Sequence, residues 1–343
     1  MKHGFIRFYL VVNIRKEALK GSACRVDELM IGIDIGGTSV KIGLINLNGE
    51  IIYKWEIPTN KGNKGDSIVD DIWVSITETL SKQKNESDII GIGVGAPGFV
   101  NRQTGIVYEA VNIGWKNFNL RDELHRRSNL PVFIENDANL AALAENWKGS
   151  GNHSKDVMFI TLGTGVGGGI IVNGGIMSGT NGTAAEIGHV LVDPNGYACN
   201  CGRVGCLETI ASATGIVRQA MDEVEHHPNS ALASHYKQYG KLEAKDVFKL
   251  AQDGDITSEN IINRTTDILG FVIANAAIII NPSQIIIGGG VSKAGEPLLS
   301  KIKKAFRKYA LPRISDCCEV KLAQLGNDAG MIGAAYLVKS SLN

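Results

Sequence analysis

Alternating hydrophobic and polar positions predict a series of strands and helices that begins at Met30. Isoleucines alternate with other residues from Ile31 to Ile35, and a second alternation runs from Val40 to Leu44, so two strands joined by a tight turn are expected. Continued through the first half, the pattern predicts strands at 31–35, 40–44, 51–53, 89–94 and 132–135, and helices at 67–83, 120–127 and 138–147.

The second half of the chain repeats the layout of the first. An apolar strand at 157–162 runs into a glycine-rich turn and returns at once as a strand at 170–172, about 127 residues after the corresponding turn of the first half. Two related α/β units are therefore predicted, and not a solenoid. The remaining predicted elements are helices at 211–224, 261–280 and 328–339 and a buried strand at 285–287, with a polar, turn-rich stretch at 225–246.

Composition excludes several classes of protein. Lys+Arg and Asp+Glu number 35 each, so a formal net charge of zero gives no electrostatic basis for binding nucleic acid or an anionic membrane. With 44% hydrophobic and 20% charged residues, the chain can bury a sizeable core. No stretch reaches the roughly 18 uninterrupted apolar residues of a membrane span. The six cysteines are too unevenly placed for a disulfide framework and suit a reducing cytoplasm.

Residues 1–29 precede the pattern of strands and helices. Apolar residues between Phe5 and Ile14 imitate a signal sequence, but Arg7 interrupts them and Gly21 stands where a lipoprotein-type cleavage site has leucine. We expect this stretch to be a poorly ordered appendage that contributes nothing to catalysis. The alternative is that the apolar run packs as an extra element, or touches a partner or a membrane surface.

Three glycine clusters follow apolar strands, at 36–38, 163–169 and 288–290. Each exposes backbone N–H groups where an anion can approach closely. Any one of them is equally well an ordinary tight turn, whereas three together favour a nucleotide held from several sides. The sequence contains no P-loop motif. Gly163, Gly165 and Gly168 have the spacing of a dinucleotide fingerprint, but β-branched residues follow them where that fingerprint requires a helix.

Carboxylates near these turns are candidates for the chemistry. Asp34 lies in a buried strand before the first turn, where it is either a structural hydrogen-bond acceptor or a partner of Mg²⁺ on nucleotide phosphates. Asp137, where a strand meets a helix, is either part of a helix cap or the general base of a phosphoryl transfer. Glu186, His189 and Glu208 form a set suited to hydrogen-bonding a neutral polyol such as a sugar, or are ordinary surface residues.

One histidine and three cysteines have the ligand count of a closed, structural zinc site. They are His189, Cys199, Cys201 and Cys206, and the glycines and proline between them allow a tight loop. The alternatives are reduced free thiols and a Cys199–Cys201 disulfide, which would be strained across a single intervening residue. We therefore predict structural Zn²⁺ at this cluster.

Five segments occur along the chain in a distinctive order: 33–38 with Lys41, 135–139, 162–169, 186–189 and 199–208. This order resembles the ROK family of repressors, open reading frames and sugar kinases, and most closely its bacterial glucokinases. The resemblance covers about residues 30–340. The cysteine-rich segment and the Asn136-Asp137 pair are specific to the family, whereas the glycine turns alone are not. Residues 1–29 have no counterpart in the kinases and are too short for the DNA-binding module of the repressors.

The resemblance implies an α/β protein with an actin/hexokinase-like (ribonuclease H-like) fold, in which two duplicated α/β domains enclose an active-site cleft. The first domain would comprise residues 30–146 and 327–343, and the second, which carries the zinc loop, residues 147–326. The implied activity is ATP-dependent phosphorylation of glucose at the 6-hydroxyl, in a cytoplasmic enzyme expected to form a homodimer or a higher homo-oligomer. The alternatives are another hexose kinase, for fructose or N-acetylmannosamine, and a non-catalytic sugar-sensing regulator.

The resemblance also implies roles for individual residues. Asp137 would be the catalytic base. The sugar would be bound by Asn112, Asn136, Asp137, Glu186, His189 and Glu208, with His189 contacting zinc as well. The residues around ATP and Mg²⁺ would be Asp34, Gly36, Gly37, Thr38, Lys41, Gly163, Thr164, Gly165, Gly167, Gly288 and Gly289.

Overall fold

The computed structural model describes residues 28–83 and 88–342, and the predictions made for residues 1–27 lie outside this part of the chain. The described residues form two five-stranded sheets and one three-stranded sheet, with helices packed against them. The first strand begins at Glu28, slightly before the predicted start at Met30. Leu29, which precedes the predicted strand pattern, is only 4% exposed and belongs to the core.

Strands and helices alternate through both halves of the chain. The strands are β1 (Glu28–Ile35), β2 (Ser39–Asn46), β3 (Ile51–Pro58), β4 (Asp88–Ala96), β5 (Phe99–Asn101), β6 (Ile106–Ala110), β7 (Trp115–Asn119), β8 (Val132–Asn136), β9 (Val157–Leu162), β10 (Val166–Val172), β11 (Gly175–Ile176), β12 (Gln284–Gly288) and β13 (Glu319–Leu322). The α-helices are α1 (Ile68–Lys82), α2 (Leu120–Ser128), α3 (Asp137–Lys148), α4 (Glu208–Ala211), α5 (Ala213–His226), α6 (Ala231–Tyr239), α7 (Ala244–Gln252), α8 (Ile256–Ile280), α9 (Glu296–Tyr309), α10 (Pro312–Ser315) and α11 (Ala329–Leu342).

The two five-stranded sheets share one topology. The first has the order β3-β2-β1-β4-β8 and the second the order β11-β10-β9-β12-β13. In each sheet three strands form an antiparallel meander, and two further strands add in parallel beside the first strand of the meander. The predicted duplication of an α/β unit is thereby confirmed at the level of strand order.

Helices α3 and α11 pack on each other, and α3 contacts strands of both sheets. A buried cluster joins Leu143 of α3, Phe159 of β9 and Leu337 of α11. Helix α11 also packs closely on β1 and β4. Gly93 of β4 permits this approach, because a Cβ there would lie 1.8 Å from the carbonyl oxygen of Ala334. The first residue of α3 is therefore held at the end of β8 by packing from two sides.

Some elements differ from the predicted ones. The predicted helix at 211–224 is broken at Ser212, whose hydroxyl caps α5 by accepting a hydrogen bond from the Gly215 N–H. The stretch at 225–246, predicted to be turns, contains helix α6, which Ser230 caps and which ends at Gly240 in the left-handed conformation. The three-stranded sheet β5-β6-β7 was not predicted, since its strands have three to five residues and show no clear alternation.

Helix α8 is long and apolar enough, by length and composition, to cross a membrane. However, 56% of its most apolar 18-residue window is buried inside the protein. Its buried apolar residues, among them Leu269 and Ile273, belong to the hydrophobic core around the second sheet. This burial is that of a core helix, so the length and composition of α8 are weak evidence for a membrane span.

Candidate active site

A cleft of about 410 Å³ opens at the carboxyl ends of strands from both sheets. On the side of the first sheet its wall carries Asp34, Lys41 and Asp137. On the side of the second sheet the wall includes residues 288–290, which form the third predicted glycine cluster. Carboxyl ends of parallel strands are the usual place for ligands in α/β proteins, so this cleft is the candidate active site.

Asp137 is the first residue of α3 and directly follows β8. The helix cap is Asn136, whose Oδ1 accepts hydrogen bonds from the backbone N–H groups of Ala138 and Asn139 at 2.9 and 3.3 Å. The Asp137 Oδ1 also accepts from the Ala138 N–H, at 2.8 Å. Because Asn136 supplies the cap, Asp137 is free to present its carboxyl to the cleft, which it lines.

The surroundings of Asp137 raise the pKa of its carboxyl to about 6. The largest cause is desolvation deep in the cleft, followed by repulsion from the Asp34 carboxylate and a smaller repulsion from Glu186, while the Ala138 N–H lowers the pKa. Water nevertheless reaches the side chain through the open cleft mouth, since the residue is exposed. A carboxyl that ionises just below neutrality is suited to accepting a proton from a substrate.

Asp34 and Lys41 pair across the β1–β2 hairpin. Burial raises the pKa of the Asp34 carboxyl, and the Lys41 ammonium lowers it. Gly330 of α11 lies against this carboxyl, since a Cβ there would come within 2.5 Å of the Asp34 Cγ. Two neighbouring carboxylates in one cleft are hard oxygen ligands of the kind that Mg²⁺ prefers.

The turns after β1 and β9 contain both occupied and free backbone donors. Gly36 donates its N–H to the carbonyl of Ser39 at 2.9 Å, and Gly163 donates to that of Gly165 at 2.9 Å, so these two donors are used within their turns. Within these two turns, both of which lie in the described part of the chain, the other N–H groups donate to no backbone acceptor: those of Gly37, Thr38, Thr164 and Gly165. These are the groups that an anion could occupy.

At two of the other predicted positions, the packing around the backbone explains why the residue is glycine. Gly167 lies within β10 and not in the turn, and a Cβ there would come 2.9 Å from Thr161 and 3.2 Å from Ala138. Packing of α3 on β10 therefore accounts for glycine at this position. Gly289 has φ +84° and a Cβ there would lie 2.5 Å from the Leu162 backbone, so only glycine fits where the chain turns beside the cleft.

Glu186, His189 and Glu208 are brought together near Asp137. Burial raises the pKa of the Glu186 carboxyl; His189 lowers it, and Glu208 raises it further. The His189 Nδ1 lies 3.8 Å from the Glu208 Oε1. Ala185, directly before Glu186, has φ +66°, a left-handed conformation that is rare for a residue with a Cβ. Such backbone strain is concentrated at functional sites, which supports a binding role for this segment.

The two asparagines predicted to bind sugar differ in whether their side chains already form hydrogen bonds within the protein. Asn112 is exposed in a turn, and its Cβ lies 3.6 Å from where a Cβ of Gly37 would be. Asn136 caps α3 through Oδ1, and its Nδ2 donates to the carbonyl of Gly98 at 3.0 Å. The Asn136 side chain thus has a structural role at the site, and sugar binding by this residue stays a prediction.

Four potential metal-ligating atoms converge beside Glu208: one each from His189, Cys199, Cys201 and Cys206, all within 4.8 Å of one another. The Cys201 and Cys206 sulfurs are 3.6 Å apart, and the Cys199 sulfur is 3.7 Å from the His189 Nδ1. Tetrahedral zinc with bonds of about 2.0–2.3 Å separates its ligands by about 3.5–3.8 Å, so the cluster has the size of such a site. The cysteines are free, so the alternative disulfide is not formed.

Glu208 links this cluster to the rest of the site. Its Oε1 lies 2.9 Å from the Cys199 sulfur, and a Cβ at Gly165 would come 2.6 Å from its Oε2. Hydrogen bonding from Arg203 lowers the pKa of the exposed Cys201 thiol to about 6, whereas burial raises the pKa of the Cys199 and Cys206 thiols. Of the three, Cys201 therefore most readily takes the thiolate form that binds metals.

The sequence did not reveal every residue of the cleft. Its wall also contains Glu145, Phe159, Thr161, Ser292, Lys293 and Gln324. Thr161 and Lys293 lie within a few residues of predicted glycine clusters, so their place in the cleft wall could have been predicted from the sequence. No sequence pattern marks Glu145 or Gln324, because they meet only through the packing of α3 against the connection between β13 and α11.

The duplicated sheets and the cleft between them define the actin/hexokinase-like fold. A solved structure of a ROK family glucokinase from Streptomyces griseus, in complex with glucose and AMPPNP, is 36% identical and covers 91% of this chain and 99% of its own, with a TM-score of 0.76. The structure of a ROK family transcriptional regulator, a homologue of the E. coli MLC protein, is 29% identical and covers 92% of this chain and 78% of its own, with a TM-score of 0.83.

The chain belongs to the ROK family, whose sequence model matches residues 30–341. A glucokinase from Halalkalibacterium halodurans is 52% identical over 319 residues, which are 92% of this chain and 97% of that protein. The resemblance inferred from the sequence motifs is thereby confirmed.

Proposed function

We propose that the protein is an ATP-dependent glucokinase, which transfers the γ-phosphoryl group of ATP to the 6-hydroxyl of glucose. The observation that carries this proposal is the position of Asp137, whose carboxyl has a pKa of about 6 and lines the cleft beside Asp34. The 52% identity to the H. halodurans glucokinase supports glucose over fructose or N-acetylmannosamine. A silent sensor would have no need for a proton acceptor next to free phosphate-binding N–H groups.

In this mechanism Asp137 accepts the proton of the sugar 6-hydroxyl as the oxygen attacks the γ-phosphorus, and the bond from that phosphorus to the β–γ bridging oxygen breaks to release ADP. The backbone N–H groups of the turns after β1 and β9 donate to the phosphoryl oxygens, where negative charge develops. Lys41, beside Asp34, adds a positive charge to the same wall of the cleft. The adenosine would lie against residues 288–290, where the absence of side chains leaves room.

The sugar would be held mainly by Asn112, Glu186, His189 and Glu208. Carboxylate, amide and imidazole groups can each pair with a hydroxyl, and a neutral polyol needs several such partners. The raised pKa of Glu186 indicates that this carboxylate is partly withdrawn from water, as a group in a binding site must be. Asn136 contributes by fixing the first turn of α3, and with it Asp137.

Asp34 is the residue that we propose to hold Mg²⁺, because its carboxylate repels that of Asp137 in the same cleft and a bound cation would relieve this repulsion. When bound, Mg²⁺ neutralises phosphate charge and orients the transferred group. The cysteine cluster would hold structural Zn²⁺, since four protein ligands leave no open position for catalysis. This site would fix the loop that carries His189 and Glu208.

We also propose that residues 30–146 with 327–343 and residues 147–326 form the two domains, since each five-stranded sheet has a hydrophobic core of its own. The proposed enzyme works in the cytoplasm on small molecules, without nucleic acid or membrane partners. A homodimer or higher homo-oligomer is expected, and analytical ultracentrifugation of the purified chain would test this.

The proposed function is tested by a coupled assay of ADP release across glucose, fructose and N-acetylmannosamine. We expect kcat/KM to be highest for glucose by at least about tenfold, because loss of matched polar contacts in a built site is costly. A preference for fructose or N-acetylmannosamine would establish the corresponding alternative kinase. Sugar binding in calorimetry without any ADP release would establish the sensor. In the same assay Asp137→Asn should release ADP much more slowly than the wild type, and Asp253→Asn, at an exposed position at the end of α7, is its matched control.

A further inference from the structure

Glu145 is a buried carboxylate that the proposed chemistry does not use. It lies near the carboxyl end of α3, is 0% exposed, and contributes to the wall of the cleft. A carboxylate is costly to bury unless hydrogen bonds compensate it, so its partners indicate its role.

Both oxygens of Glu145 accept hydrogen bonds. Its Oε1 accepts from the backbone N–H groups of Gln324 and Leu325 at 2.9 and 2.7 Å. Its Oε2 accepts from the N–H and the hydroxyl of Ser150 at 3.1 and 3.2 Å. All four partners are donors, which matches the acceptor-only character of a carboxylate. At Gly149 a Cβ would lie 2.0 Å from the Oε2, so glycine leaves the carboxylate the room it occupies.

The partners lie in the two segments through which the chain passes between the sheets. Ser150 is in the segment 149–156, which leads from α3 to β9 in the second sheet. Gln324 and Leu325 are in the segment 323–328, which leads from β13 back to α11. One side chain therefore joins the outgoing and the returning connection.

The returning connection also forms part of the cleft wall, through Ala323, Gln324, Gly326 and Asn327. We propose that Glu145 is a positioning residue, which ties the two connections together and thereby holds the segment 323–327 in place beside the nucleotide. The expected change in the KM for ATP rests on the proposed kinase function. The hydrogen bonds from the two connections to Glu145 are present in the fold without a ligand and do not depend on that function.

Two roles for Glu145 predict opposite effects of removing its charge. If the carboxylate acted only as a negative charge in the cleft wall, it would repel the triphosphate, and Glu145→Gln would lower the KM for ATP. If it positions the wall, Glu145→Gln would raise that KM, because donors face both oxygens of Glu145 and the glutamine NH₂ group cannot accept hydrogen bonds from whichever connection it faces. The sign of the change in KM for ATP separates them.

The experiment compares Glu145→Gln, Glu145→Asp and Ser150→Ala with the wild type. We expect Glu145→Gln to raise the KM for ATP about tenfold, as loss of charge-assisted hydrogen bonds implies, while the KM for glucose changes less than about twofold. Glu145→Asp keeps the charge but is one methylene too short to reach both connections, so its KM for ATP should also rise. Ser150→Ala removes one donor and should have a smaller effect. Glu78→Gln, an exposed position on α1, is the control for charge removal.

Hydrogen exchange of the ligand-free proteins gives a readout that needs no activity. In Glu145→Gln the amides of Ser150, Gln324 and Leu325 should exchange at least about tenfold faster, while those of α9 stay unchanged. If Glu145→Gln does not fold, the exchange rates of the same amides in Ser150→Ala test the inference instead. Unchanged exchange at these amides, or an ATP KM that is unaltered or lower while only the Tm falls, would overturn the inference. A wild type that does not phosphorylate glucose would instead refute the proposed function, and exchange alone would then decide about the tie.

Discussion

Replacing Asp137 by asparagine separates its proposed catalytic role from its place in the fold. Asparagine has the same size, and its carbonyl oxygen can still accept the hydrogen bond that the Ala138 N–H donates at 2.8 Å. It cannot take up a proton from the sugar hydroxyl. We therefore expect a folded protein that still binds glucose, with kcat lowered at least about 10²-fold, the usual contribution of a general base. This corresponds to at least about 2.7 kcal/mol of lost transition-state stabilisation.

The same substitution should stabilise the protein. The carboxyl pKa rises from 3.8 to about 6 on folding, so the folded protein binds this proton more tightly than the unfolded chain. The ionised carboxylate therefore costs stability: the cost is complete above about pH 6 and absent below about pH 4. A shift of about two units sets a ceiling of about 3 kcal/mol. Because water reaches the carboxyl through the cleft, we expect about 1 kcal/mol and a Tm higher by about 2–4 °C for Asp137→Asn at pH 8.

Both effects are measured on the same samples. The coupled assay from pH 5 to 9 should show wild-type kcat/KM falling below about pH 6, as the base becomes protonated. Thermal melts of the ligand-free proteins should show the advantage of Asp137→Asn shrinking as the pH falls from 8 to 4, with Asp253→Asn unchanged. Near-normal turnover of the asparagine variant would refute the base assignment. A variant that is less stable at pH 8, with a difference independent of pH, would refute the electrostatic reasoning.

Three further outcomes are expected. Cys201→Ser should lower glucose affinity and Tm together, because the metal would hold the loop that carries His189. Elemental analysis that finds no zinc in wild-type protein purified without chelator would contradict this. Gly289→Ala should lower the Tm and raise the KM for ATP, since φ is +84° and the new Cβ would meet the Leu162 backbone at 2.5 Å; an alanine variant with wild-type melting would show that the turn can relax. A chain beginning at Glu28 should match the full chain in Tm and glucose phosphorylation, and a large loss of activity would show that the preceding residues matter.

The local pattern of the sequence was sufficient for the two strand–turn–strand units and for the helix that starts at Asp137. Strand alternation and helix caps depend on neighbours within a few residues, so β1, β2, β9 and α3 were predictable. The repetition of this layout also made the duplication visible before any contact was known. Where strands are short, as in β5, or where a polar stretch forms a capped helix, as in α6, local pattern carries too little information.

The arrangement of the site depends on distances that the sequence does not contain. The motif at 135–139 left open whether Asp137 caps a helix or faces a substrate, and the structure shows that Asn136 caps it. Glu145 carried no signal at all, since its four donors lie in two segments separated by more than 170 residues along the chain. Such contacts form only after both sheets are assembled.

The glycine cluster at 163–169 illustrates why a sequence motif alone misjudges a site. The sequence predicts one glycine turn at 163–169, yet only residues 163–165 form the turn, and the rest belong to β10. A Cβ at Gly169 would come 2.7 Å from the Cβ of Ala142, so this glycine lets α3 lie directly on the strand. That contact also fixes the two ends of α3, where Asp137 and Glu145 lie about 12 Å apart along the helix axis. The same run of glycines therefore both leaves N–H donors free in the turn and sets the position of the helix that carries the proposed base.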